Sequence, residues 1–147
     1  MGGRTSFRGT MLATIVTVAC SIMGFALISD PPGLVSNPVN LLTRPLLGLL
    51  FGPLLAPATT LASLVVANAM IHGLEVLARR WPQANDRRMW ALAGAVGGAI
   101  MAGLLIMELI VFRRGGQMNM PAAALLWMTC SGAAVGAVSL LLGRRFL

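Results

Sequence analysis

Four apolar stretches, each long enough to cross a bilayer, take up most of this chain of 147 residues. The longest uninterrupted one runs from Met89 to Phe112 and holds a single charge, that of Glu108. A bilayer core of about 30 Å is crossed by roughly 20 apolar helical residues. The chain is 57% hydrophobic and 10% charged, whereas soluble domains have about 25% charged residues. The sequence therefore predicts an all-α integral membrane protein with four transmembrane helices.

Helix-breaking and charged residues set the ends of these spans. We expect one membrane domain over residues 1–147, with spans at about 10–28, 54–78, 89–112 and 121–142. The apolar run of the second span reaches back to Leu46, and about 33 helical residues would measure about 50 Å, too long for the core. Pro53 and Pro57 interrupt that run. We therefore predict that Leu46–Gly52 is a short interfacial or re-entrant segment before the second span.

The arginines predict the orientation. All eleven basic residues are arginine, and with four spans eight of them share a side with both termini. Arg44, Arg113 and Arg114 lie on the other side. Because arginine-rich loops stay inside, both the N- and the C-terminus should be cytoplasmic. Arginine without any lysine is typical of a GC-rich bacterial genome, so we predict a multi-pass protein of the bacterial inner membrane.

The two halves of the chain resemble each other. Residues 11–28 match residues 89–106 at seven of eighteen positions, at a constant offset of 78. This match favours two tandem two-helix hairpins, at 8–81 and 88–146, related by an axis along the membrane normal. The alternative is chance matching between segments that draw on few residue types.

Small residues mark two faces for close helix packing. The third span contains Gly94-x-x-x-Gly98 and Gly97, and the fourth contains Gly132-x-x-x-Gly136. Lipid provides no hydrophobic drive between helices, so such faces are where helices approach closely. The sequence leaves open whether they pack within the chain or against a partner.

Asn68, His72, Glu75 and Arg79 recur at helical spacing and should form one polar stripe on the second span. Ionisable groups inside a membrane are functional hypotheses by default. One interpretation is a proton or cation site in which Glu75 titrates and His72 relays or ligates. The other is structural: Glu75 pairs with Arg79, while His72 and Asn68 bind a neighbouring helix.

Glu108 is the second carboxylate within a span. It shares the glycine-rich face of its helix and therefore should point into the bundle or at a partner, while an ion pair with Arg113 or Arg114 is the structural alternative. Glu75 and Glu108 fall near opposite faces of the membrane, which argues against a single two-carboxylate site.

Signals for metals, cofactors and catalysis are weak. Met118 and Met120 form a weak copper candidate, since thioethers suit Cu(I), but methionine is also a common apolar filler. Cys20 and Cys130 are expected to be ordinary apolar residues of their spans. His72 is the single histidine, and the chain carries no catalytic or phosphate-binding motif. We therefore expect no cofactor, no enzymatic activity and no nucleic-acid partner.

These observations favour a small membrane protein that works through helix contacts. It would be an accessory or scaffolding subunit of a membrane complex, or a homo-oligomer, with lipid and other membrane subunits or itself as partners. The alternative is a small proton- or cation-coupled transporter or channel subunit that uses Glu75 and His72, or Glu108.

Overall fold

The computed structural model describes residues 7–28, 37–114 and 121–147, with the side chains of 112–114 left out. Within these ranges the chain is helical almost throughout and contains no strand. The helices are α1 (Phe7–Ile28), α2 (Asn40–Leu55), α3 (Pro57–Arg80), α4 (Arg87–Arg114) and α5 (Ala122–Gly143). Short 3-10 turns follow α3 at Pro82–Asn85 and α5 at Arg144–Phe146.

Helices α1, α3, α4 and α5 are long and apolar enough to cross a membrane, and α2 is a shorter apolar helix. The prediction of an all-α protein with four spans is therefore confirmed. The ends of the spans differ from the predicted ones by three residues or fewer. At 1.5 Å per residue, the 24 residues of α3 measure about 36 Å, enough for the bilayer core.

The segment before the second span is longer than predicted. It forms a helix of 16 residues, Asn40–Leu55, rather than Leu46–Gly52 alone. Pro53 lies in the last turn of this helix and does not end it. The chain bends instead at Ala56, with φ −139° and ψ 66°, and Pro57 begins α3. Proline suits this first position, where its missing N–H would have no helical partner.

The four long helices alternate in direction. A hydrophobic cluster joins Ala13 near the start of α1 to Trp90 near the start of α4. The same cluster contains Ile71 and Leu74 from the second half of α3 and Leu140 near the end of α5. The start of α1 and the end of α5 therefore lie at one end of the bundle. At the opposite end, the Trp127 indole N–H donates to the Ile28 carbonyl over 3.3 Å.

The two glycine-rich faces pack against each other. A Cβ atom built on Gly94 would collide with the carbonyl oxygen of Gly136, and one built on Gly98 would collide with that of Gly132. Helices α4 and α5 consequently touch backbone to backbone along two turns, in the most extensive contact of the bundle. The two motifs thus serve an interface within the chain.

The remaining neighbours close a ring in which α1 contacts α3, α3 contacts α4 and α5 contacts α1. Gly97 makes room for Met70 of α3, and Gly143 makes room for Thr17 of α1. Helix α2 lies outside the ring, against the last two turns of α1, where Gly48 meets Ala26. Both tandem hairpins and a simple up-and-down bundle would give this ring, so the duplication stays a prediction.

The α4–α5 contact predicts opposite effects of one substitution at two glycines of α4. Gly98→Ala should lower the free energy of unfolding by about 1–3 kcal/mol, because the new methyl group overpacks the contact. Gly103→Ala, where no atom lies within 4 Å of the added Cβ, should be neutral or stabilise by about 0.5–1 kcal/mol. Unfolding in detergent micelles, followed by circular dichroism, measures both, and equal stability of the two variants would contradict the packing.

Candidate functional site

Glu108 binds the beginning of α3. Its Oε1 accepts a hydrogen bond from the Ala58 backbone N–H over 3.1 Å, and its Oε2 accepts one from the Thr59 N–H over 2.8 Å. The Thr59 hydroxyl donates a third, short bond to Oε2. Glu108 is only 8% exposed. Three donors face the carboxylate from α3, which is the environment of an ionised acceptor.

The local sequence explains why α3 needs this acceptor. The first turn of a helix has backbone N–H groups without helical partners, and a side chain at the N-cap usually binds one of them. Here the N-cap is Ala56, which has no side-chain acceptor. Pro57 lacks an N–H, and the Thr60 N–H already binds the Ala56 carbonyl. Glu108 therefore accepts hydrogen bonds from the two remaining N–H groups, and its charge also suits the positive end of the helix dipole.

This arrangement gives Glu108 a role that sequence reasoning missed. Its side chain points into the bundle, as its position on the glycine-rich face suggested, but towards backbone N–H groups of α3. The signal was present in the sequence as an alanine and a proline at the start of a span. No local pattern pairs that start with a glutamate about fifty residues away. The alternative ion pair involves Arg113 and Arg114, whose side chains lie outside the described part of the chain.

The polar stripe lies on an outward face of α3 and extends from the middle of the helix to the end away from Glu108. Asn68, His72 and Arg79 are exposed and Glu75 is half-buried. All four line an open groove between α3 and α1, whose opposite wall is formed by the first half of α1. On that wall Phe7 and Met11 are 83% and 55% exposed. The four side chains therefore share one surface, which the bundle leaves uncovered.

The two carboxylates belong to separate places. Glu108 binds Ala58 and Thr59, whereas Glu75 lies sixteen residues beyond Thr59 on the same helix, a rise of about 24 Å. This spacing matches the expectation that they do not share a site.

A cavity of about 270 Å³ lies inside the bundle, with walls from all five helices. Its lining is almost entirely apolar, although it includes hydroxyl-bearing residues such as Thr17, Ser21 and Ser63. Sequence reasoning could not find the cavity, which arises where small residues of separate helices face one another.

Arg144 joins the end of the chain to the α3–α4 connection. Its guanidinium donates to the Asn85 carbonyl over 2.6 Å and to the Asn85 side-chain oxygen over 3.0 Å. Its Cζ atom also lies 5.6 Å from the ring centroid of buried Trp90, a cation–π contact. The sequence had assigned Arg144 only to membrane orientation.

Neither cysteine is in a disulfide: Cys20 is half-buried and Cys130 is exposed. Among the described residues no group of three or more histidine, cysteine or acidic side chains could hold a metal ion. The copper candidates Met118 and Met120 lie outside the described residues.

The four long apolar helices define the class of the chain, which is a small multi-pass membrane protein. Beyond this class, comparison with protein families, with curated proteins and with solved structures finds no match. Function therefore has to be argued from the surfaces and cavities of the bundle itself.

Removal of the Glu108 carboxylate should destabilise the protein, and a local cap should repair it. Glu108→Ala leaves two backbone N–H groups without acceptors, at about 1–3 kcal/mol each. Adding Ala56→Ser to that variant supplies an N-cap hydroxyl and should recover about 1 kcal/mol. Glu108→Gln, which keeps one acceptor oxygen, should fall between wild type and Glu108→Ala. Thermal unfolding in detergent micelles measures the series, and an unchanged midpoint in Glu108→Ala would contradict the assignment.

Proposed function

We propose that the chain is a non-enzymatic membrane subunit that associates through its helices, with another membrane protein or with a second copy of itself. The association surface is the groove between α1 and α3, which contains the polar stripe Asn68, His72, Glu75 and Arg79. Such a protein acts as an accessory or scaffolding subunit, or as a homo-oligomer.

The exposure of Asn68 carries this proposal. Asn68 lies eleven residues after the start of α3 and twelve before its end, so it is about 18 Å from either end. That position is close to the middle of the bilayer core, where polar side chains are expensive and usually face a protein neighbour. Within the chain, however, Asn68 is exposed, and His72 follows one turn later on the same face. A partner helix in the groove would give both side chains hydrogen-bonding groups in place of lipid.

The use of the glycine faces also supports the groove. The two glycine motifs were the other candidates for contact with a partner, but they pack against each other between α4 and α5. The groove combines exposed polar groups with exposed large side chains of α1, among them Phe7 and Met11. Both the polar contacts and the packing area of an interface are therefore available at this surface.

We further propose that the protein resides in a bacterial inner membrane with both termini in the cytoplasm. The support is the distribution of arginine: Arg8, Arg79–Arg80, Arg87–Arg88 and Arg144–Arg145 cluster at the end where α1 starts and α5 ends. Loops rich in arginine remain on the cytoplasmic side.

The second candidate function is a proton- or cation-coupled transporter or channel subunit. One observation favours it, namely that His72 and Glu75 line the same open groove. Glu108 gives it less support, because both of its oxygens are bound by donors of α3. A partner across the groove would also be needed to enclose a path.

The association surface predicts weaker assembly after a change at Asn68. Asn68→Leu should cost about 0.6–2 kcal/mol of association free energy, or about threefold to thirtyfold in affinity. Thr129→Val is the matched control, since Thr129 is also exposed but its hydroxyl binds the Leu125 carbonyl of its own helix over 2.8 Å. Native mass spectrometry from nanodiscs measures the complexes and separates a homo-oligomer from a complex with another protein. A monomeric wild-type chain without a stable partner would refute the proposal.

The two candidate functions predict different effects of Glu75→Gln. If the chain is a structural subunit, purified wild-type protein and Glu75→Gln in vesicles should give the same proton flux as empty vesicles. A dye reporting internal pH, with an imposed pH gradient, measures this. Flux in the wild type that Glu75→Gln abolishes, with assembly intact, would favour the transporter.

A further inference from the structure

The cavity inside the bundle presents almost no polar groups to a ligand. The hydroxyls of Thr17 and Ser21 donate to carbonyls one turn earlier in α1, over 2.7 and 2.9 Å. Those of Thr60 and Ser63 donate to carbonyls of their own helix over 2.8 Å each, and that of Thr59 donates to Glu108. The hydroxyl protons are thus committed to the protein. Because a buried water needs two to four polar partners, this space is suited to hydrocarbon rather than to water.

The residues that line the cavity extend over several turns of the neighbouring helices. On α4 they reach from Gly94 to Leu105, a separation of eleven residues or about 16 Å along the helix axis. An apolar cavity of about 150 Å³ suffices for a compact ring such as benzene, and this one has about 270 Å³. A lining of this length suits a linear chain better than a compact molecule.

One wall of the cavity is held almost entirely by α1. Helix α2 contributes Gly48 and Gly52 to the lining, yet none of its sixteen residues is buried. It rests on Ile22 and Ala26 of α1 through these glycines and has few contacts with α3. The cavity is not fully enclosed, so a chain from the surrounding lipid has access to it.

We propose that the cavity binds one acyl chain of a bilayer phospholipid, lying along α4 between α1 and α3. The bilayer supplies this occupant at very high local concentration, and transfer of a chain from lipid into the cavity gains mainly van der Waals contacts. Binding is therefore favoured by van der Waals contacts, because the acyl chain takes up empty space beside residues such as Ser63, Met70 and Met101. This binding does not depend on the association proposed above.

Photocrosslinking in vesicles tests this site. The protein is reconstituted in phospholipid vesicles that contain a small fraction of phosphatidylcholine with a diazirine in one acyl chain. After illumination, mass spectrometry of peptides locates the adducts. We expect adducts on cavity-lining residues of α3 and α4, in addition to those on lipid-facing residues. A parallel arm with a diazirine-bearing free fatty acid distinguishes the two sources of such a chain, and stronger cavity labelling by the free fatty acid would overturn the phospholipid assignment.

Filling the cavity should remove its label selectively. Ser63→Leu and Ser21→Leu introduce side chains from opposite walls and should each reduce cavity labelling several-fold, with exterior labelling unchanged. Ser131→Leu is the matched control: Ser131 is half-buried, its hydroxyl binds the Met128 carbonyl over 3.0 Å, and it does not line the cavity. Using two walls keeps the test valid if one variant fails to fold. Absence of cavity adducts in the wild type, or labelling that both variants leave unchanged, would refute the proposal.

Discussion

The first turn of a helix has backbone N–H groups without helical partners, and α3 begins at Pro57 without a side-chain cap of its own. Pro57 has no N–H, and the Thr60 N–H already binds the Ala56 carbonyl. The carboxylate of Glu108 accepts hydrogen bonds from the two N–H groups that remain, those of Ala58 and Thr59. In an apolar medium each unsatisfied group would cost several kcal/mol, so an acceptor from another helix stabilises the start of α3 after the bend at Ala56. The contact also joins the beginning of α3 to α4, close to the wall of the cavity that Thr59 lines. These hydrogen bonds give the carboxylate of Glu108 a structural role.

Close backbone packing then determines which surfaces remain for other partners. Gly94 and Gly98 meet Gly132 and Gly136 in backbone-to-backbone contact between α4 and α5. Small residues used between these helices cannot also serve a neighbouring protein. This is why the proposed association surface is the α1–α3 groove, where polar groups would replace glycine as the means of contact.

The sequence predicted the features that depend on hydropathy and helical period. The four spans, their approximate ends and the shared face of Asn68, His72, Glu75 and Arg79 are of this kind, since each needs only local spacing. Other features depend on contacts between distant residues. The role of Glu108 depends on Ala58 and Thr59 of another helix. The length of α2 depends on a helix that continues through Pro53 in its last turn, and no periodic pattern in the sequence indicates this. The cavity is a shape between five helices, which no single stretch of sequence encodes.

The groove and the cavity are both unfavourable in a bilayer, the groove because it exposes polar side chains and the cavity because its walls lack packing contacts. Helices α1 and α3 border both. Outside, Asn68 and His72 are exposed where lipid offers no hydrogen bond; inside, an apolar space offers no contacts to its walls. A partner helix would correct the first and an acyl chain the second. Since both sites lie on the same pair of helices, an acyl chain that moves α1 against α3 would also alter the groove. Such a shift would couple cavity occupancy to assembly in free energy, although neither requires the other, and the coupling would act equally in both directions.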